Sequence, residues 1–172
     1  MSSSIPTLYL ATQTNDPDGF AAQFGESFQT YGFAVIADHG IDPQLVEKAW
    51  ALTRDFFALP VETKRTYHVQ GGGGARGYTP FGIEIAKDAT DVDLKEFWHV
   101  GRDLPAGHRY RDHMPDNIWP DEVPGFKATF QALYAAFDEA GNRLLSAIAR
   151  FLGLAPDWFD PAVENGNSVM RL

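Results

Sequence analysis

The chain has 172 residues, 44% of them hydrophobic and 22% charged, with a formal net charge of −9 and a pI near 4.9. Length and composition fit one globular domain with a core of its own rather than a disordered chain. The acidic balance disfavours nucleic acid and anionic membranes as partners, and the absence of cysteine rules out disulfides, thiolate zinc sites, iron–sulfur ligation and cysteine nucleophiles.

Residues 6–10 (PTLYL) read as a short strand. Asp16 followed by Pro17 is an N-cap and first-turn signal, and Phe20, Phe24, Phe28 and Tyr31 then recur on one helical face up to a Gly32 stop. Residues 33–37 (FAVIA) predict a buried strand. Asp42-Pro43 repeats the helix-start signal, with an apolar stripe of Leu45, Val46, Ala49, Trp50, Phe56 and Phe57, and Pro60 breaks it before a further helical turn. Four glycines at 71–74 predict a flexible loop, read as a lid or hinge. Residues 77–82 read as extended chain and turn, and 93–101 (DLKEFWHVG) fit helix or strand equally. An ordered loop over 104–125 leads into apolar positions that predict a helix at about 125–152, roughly 28 residues and about 42 Å long. Gly153 stops it, and a β-like segment begins at 167 and breaks off in mid-pattern at Leu172, as if a further domain should follow.

The sequence shows neither a signal peptide nor 18 consecutive apolar residues, so the expected location is cytoplasmic, without a membrane span. The five histidines are His39, His68, His99, His108 and His113. None is followed two residues later by Asp or Glu, the strand spacing that sets a His and a carboxylate on one side of a metal. His39 with Asp42 and His113 with Asp116 sit three apart but in turns, and the run His108, Asp112, His113, Asp116 reads as solvated surface. Residues 71–76 (GGGGAR) lack the Lys-Ser/Thr of a phosphate cradle, and there is no Gly-x-Ser-x-Gly elbow. No reaction follows from these residues alone.

Six strings in order do carry a resemblance. YGFAVIADHGI (31–41), DFFALPVETK (55–64), RGYTPFG (76–82), DLKEFWHVGRDLP (93–105), NIWPDEVPGF (117–126) and the final MRL (170–172) resemble segments of the isopenicillin N synthase-like family of iron(II)/2-oxoglutarate oxygenases, over about nine-tenths of the chain. The resemblance implies an α+β fold, with helices packed on strands that extend a distorted double-stranded β-helix, or jelly roll, whose main part lies beyond this chain. On that reading residues 1–166 form the N-terminal oxygenase region and 167–172 begin the jelly-roll core. The implied cofactor is Fe(II) with 2-oxoglutarate as co-substrate, and the implied reaction is oxidation of a small molecule by hydroxylation, desaturation or ring closure. The family's His-x-Asp, distal His and Arg-x-Ser lie in the jelly roll, so no catalytic or metal-binding residue is expected in this chain. A C-terminal jelly-roll domain is the expected partner, in cis, or in trans if the chain is truly this short.

The resemblance also selects candidate substrate-binding residues. Tyr78 and Phe81 would pack on the substrate, Glu84 would meet a cationic group, and Arg171, on a strand whose side chains alternate inward and outward, would meet an anion. The alternative readings are a non-enzymatic truncated domain and a small-molecule binding protein lacking the iron site.

Overall fold

In a computed structural model, residues 4–85 and 90–172 are described. The chain divides into two compact units. The first comprises Met1–Pro43 and Ala135–Glu164, the second Gln44–Tyr134 and Asn165–Leu172. Among the described residues, no helix is long and apolar enough to cross a membrane.

In the first unit, strand β1 (Thr7–Tyr9) runs into a 3-10 turn over Leu10–Thr14 and then helix α1 (Pro17–Tyr31). The helix starts where its cap predicts: the Asp16 side chain accepts from the Gly19 N–H at 2.9 Å, satisfying one of the otherwise unpaired first-turn donors. Gly32, with φ +78°, closes it by donating its N–H to the Phe28 carbonyl at 2.9 Å. Strand β2 (Val35–Ala37) pairs parallel to β1, Leu8 opposite Ile36. Leu8, Leu10, Phe20, Ala21, Phe24 and Ala147 form the core, with Leu144, Ile148 and Phe151 against it. β2 was expected to be buried, yet Val35 is 41% exposed. The sheet has two strands, and β2 is one of its edges.

Helix α4 (Phe126–Phe151) is the long helix predicted at 125–152, here 26 residues. It contributes its residues through Tyr134 to the second unit and those from Ala135 to the first. It ends in a Schellman closure: Gly153 N–H donates to the Arg150 carbonyl at 3.0 Å and Leu154 N–H to the Ala149 carbonyl at 2.8 Å. A short helix α5 (Asp160–Val163) follows.

The second unit is built on helices α2 (Pro43–Phe57) and α3 (Val61–Arg65) and a three-stranded sheet, β3 (Gly77–Thr79), β4 (Phe97–Gly101) and β5 (Val169–Arg171). All neighbours are antiparallel, in the order β3-β4-β5. The undecided segment 93–101 is therefore a strand, and it is the central one. Phe97, Trp98, Val100 and Gly101 are all buried and His99 is half-buried, so the alternation that marks a strand with one solvated face is missing. Of the α2 stripe, Ala49 and Phe56 are buried, with Leu52 buried beside them, whereas Trp50 is 58% exposed. The glycine run forms tight turns, with Gly72 N–H bonded to the Val69 carbonyl and Ala75 N–H to that of Gly72.

Candidate functional site

The β3–β4–β5 sheet has two faces of different chemistry, and strand register says which residue lies on which. Tyr78 pairs with Trp98, and Val100 with Met170; these point one way. Thr79 pairs with Phe97, Gly77 with His99, and His99 with Arg171; these point the other way. We call the first the closed face and the second the open face.

The closed face is an aromatic core. Trp98 is fully buried, with its ring centroid 4.7 Å from Phe56 and 5.4 Å from Phe126, both near edge-on. Such pairs add about 0.5–1.5 kcal/mol each beyond area burial. Into this core the chain folds a charged pair. Lys64 is 4% exposed, and its ammonium donates to both Glu96 carboxylate oxygens at 2.9 Å and to the Phe57 carbonyl at 3.0 Å. The Tyr78 hydroxyl donates to the same carboxylate. All three ammonium protons are used, as a buried charge requires. Burial, then the bond to Glu96, drives the Tyr78 phenol well above its ordinary pKa. Tyr78 is 1% exposed. It was expected to pack on a substrate, but the structure spends its ring and hydroxyl on the closed face.

Two glycines let this sheet form. Gly77 has φ +70°, and a Cβ there would stand 2.7 Å from the Tyr67 carbonyl oxygen, so only glycine fits. Gly101 leaves room for the Arg76 guanidinium, which a Cβ would overlap. Arg76 is 4% exposed, and one terminal nitrogen donates to the Ala75 carbonyl at 2.7 Å. Burial lowers its pKa, with Tyr134 and Asp103 acting the other way. Beside it Asn117 clamps the end of β4, accepting from Gly101 N–H and donating to the Gly101 carbonyl, both at 2.8 Å.

The open face carries a second polar cluster. Arg171 donates from Nε to His99 Nε2 at 2.7 Å, and its guanidinium carbon lies 4.3 Å from the Phe97 ring centroid. The other imidazole nitrogen, Nδ1, lies 2.5 Å from the Gly74 carbonyl oxygen. Glu84 ion-pairs with Lys95 at 2.7 Å and faces Arg171 at 3.6 Å. Lys95 also pairs with Asp93 at 2.8 Å. Antiparallel pairing positions these residues: Asp93 N–H donates to the Glu84 carbonyl at 2.8 Å, and Ile85 bridges Val92. The bond from Lys95 holds the Glu84 carboxyl below the usual range against burial, with Arg171 assisting. Bonds to Asp93 and then Glu84 raise Lys95. Burial lowers the pKa of His99, and the charges of Arg171 and Arg76 lower it further, against the bond to Gly74 and the charge of Glu84.

The predicted candidates thus separate. Glu84 and Arg171 come together on the open face. Phe81 is 56% exposed just beyond β3. Tyr78 lies on the opposite face. The cations Glu84 meets in this structure are the chain's own, Lys95 and Arg171. The metal-ligand spacings do not point to the place of His99; its register parity with Arg171 does. Lys64 and Glu96 stand 32 residues apart, with nothing local in the sequence to join them.

The donor set does not fit iron. Among the described residues, no group of three or more His, Cys, Asp or Glu is placed to hold a metal. His39 accepts from Ile41 N–H at 3.1 Å, His108 accepts from Tyr110 N–H at 3.3 Å, and Asp116 pairs with Arg111. They are turn residues.

Residues 5–122 match the family model of the non-haem dioxygenase in morphine synthesis N-terminal region, which is more than half the chain. The chain belongs to this non-haem dioxygenase N-terminal family. Solved structures agree. A protein of Caulobacter crescentus assigned to the 2OG-Fe(II) oxygenase family is 49% identical, with a TM-score of 0.89 over 99% of this chain and 55% of its own. Full-length Neurospora crassa T7H, solved with alpha-KG, is 26% identical with a TM-score of 0.80, over 97% of this chain and 53% of its own. The proline hydroxylase buaE of Petromyces alliaceus is 33% identical over 162 residues, 90% of this chain and 49% of its own. The chain therefore spans about half the length of the curated relatives it matches. The fold class is that of its dioxygenase relatives at the level of mixed helices and sheets.

Proposed function

We propose that this chain is the front part of a non-haem iron(II)/2-oxoglutarate-dependent oxygenase that oxidises a small molecule. The observation that carries this reading is the 0.89 TM-score at 49% identity to a 2OG-Fe(II) oxygenase family protein, over nearly the whole chain. The names of the relatives, a proline hydroxylase and a flavanone 3-dioxygenase among them, favour a small-molecule substrate over the non-enzymatic and iron-free alternatives.

Residues 1–166 would precede the jelly-roll core and 167–172 would begin it, with β5 as its first piece. A jelly roll in cis would supply what this chain lacks, the iron ligands and the 2-oxoglutarate site. Iron with 2-oxoglutarate supplies the oxidising power for a C–H bond. The residues here do other work: the closed face holds the sheet rigid, and the open face is turned to the substrate. Arg171 meets an anionic group there, Phe81 packs on the substrate body, and Glu84 with Lys95 balances the charge around the guanidinium. A fixed wall of this kind positions the substrate.

The test is succinate formation. The protein as its gene encodes it, given iron(II), 2-oxoglutarate and O₂, should release succinate at a rate that rises with the right small molecule. A gene product carrying the full barrel that binds no iron anaerobically and releases no succinate would overturn the reading.

A further inference from the structure

The open face holds an arginine that is hydrogen-bonded at one edge and met at the other only by a long ion pair with Glu84. Arg171 Nε is bonded to His99, and Phe97 lies under the guanidinium carbon. Neither terminal nitrogen makes a hydrogen bond among the described residues; Glu84 stands off at 3.6 Å, and the side chain is 49% exposed. A guanidinium binds a carboxylate bidentately through two parallel N–H donors, either both terminal nitrogens or Nε with one of them. With Nε occupied, the terminal edge is the one that remains.

His99 determines that choice through its tautomer. The Gly74 carbonyl has no proton to give, so Nδ1 must carry the hydrogen at that 2.5 Å contact. A neutral ring then leaves a lone pair on Nε2, which accepts from Arg171, a group that is always protonated. The two bonds define each other. A protonated ring would set N–H against N–H at the arginine. The groups facing the ring are the Gly74 carbonyl, Arg171 on β5, Glu84 and Arg76, and the two arginines favour the neutral form.

We propose that His99 is a positioning residue: anchored on the Gly74 carbonyl, it holds Arg171 by Nε so that the terminal edge of the guanidinium is a preset fork for a carboxylate on the substrate. This rests on the reading of Arg171 as the substrate's anion contact and adds two things to it. The anion is a planar two-oxygen group rather than any negative charge. The conformation of the glycine turn at 71–74 is coupled through His99 to the arginine. A lysine in place of Arg171 would keep the charge and lose both the His99 bond and the fork.

The test uses the protein as its gene encodes it, nitrogen-labelled at histidine and arginine, with sodium formate as the probe. At pH 7.5 the spectrum should show His99 protonated at Nδ1 and bare at Nε2. The Arg171 Nε–H signal should exchange slowly and should shift with acid at the same midpoint as His99. Formate should move the Arg171 terminal signals, and H99F should weaken that binding about three- to tenfold, as loss of one immobilised side chain does. H99Q, whose amide oxygen can accept from Nε, should recover part of it. The opposite tautomer in the wild-type chain overturns the proposal whatever the variants do. So does equal formate binding in wild type and H99F, which leaves the Arg171 reading standing. Formate that leaves Arg171 unmoved in the wild-type chain overturns the anion reading itself, and the role of His99 falls with it.

Discussion

The two faces of the β3–β4–β5 sheet each carry a cluster of ionisable groups, and the clusters are opposites. On the closed face Lys64 and Tyr78 are buried, Glu96 is 16% exposed, and the three satisfy one another: three ammonium bonds and one phenol bond leave none of their donors over. On the open face Arg171, His99, Glu84 and Lys95 are half-exposed, and the guanidinium keeps its terminal nitrogens unbonded among the described residues. Perturbed pKa values occur on both faces, so a perturbed group is not by itself a sign of function. What separates the two clusters is how much of the hydrogen-bonding capacity of their charged groups is used.

The contrast can be broken most easily at Lys64. K64A would leave the partly buried Glu96 carboxylate with the Tyr78 hydroxyl as its remaining partner and should cost about 3–5 kcal/mol, read by urea denaturation. A loss below about 1 kcal/mol would mean the closed face is not closed. Y78F removes one bond to the same carboxylate while Lys64 remains, so its cost should be about 1–3 kcal/mol, with no change in how formate meets Arg171. On the open face the effects should be smaller and should depend on pH. The pKa of His99 is lower in the folded chain than its ordinary 6.5. The stability this represents is complete above 6.5 and is lost as pH falls through the lowered value. Melting temperature should therefore decline on acidification, and H99Q should flatten that slope; an unchanged slope would place His99 outside the network. E84Q should leave the melting temperature unmoved and tighten formate binding at Arg171, because it removes the negative charge 3.6 Å away. Weaker formate binding in E84Q would mean that Glu84 orients the arginine rather than competing for it.

Much of the fold was legible in the sequence because its signals are local. The Asp16-Pro17 start, the Gly32 and Gly153 stops and the long α4 helix each follow from residues within a turn of one another. The features that were misread depend on what lies across space. Residues 33–37 look buried by composition, yet β2 is an edge strand. Trp50 fits the α2 stripe but faces solvent. Segment 93–101 was ambiguous because its neighbours β3 and β5 come from distant parts of the chain. The site divided the same way. Glu84 and Arg171 were chosen through family resemblance and do meet. Tyr78 was chosen with them, but strand parity turns it to the other face. The role of His99 is not legible from spacing, because its partners, the Gly74 carbonyl and Arg171, lie 25 and 72 residues away.

The central claim is that the open face is the substrate-facing side of an oxygenase. Its most direct test is R171Q in the complete enzyme, measured with the small molecule that drives succinate release. The account predicts that KM for that substrate rises at least about tenfold, as loss of a bidentate charge-assisted contact entails, while KM for 2-oxoglutarate and the melting temperature stay where they are. An unchanged substrate KM, or a KM that rises only because the protein has lost its fold, would contradict it.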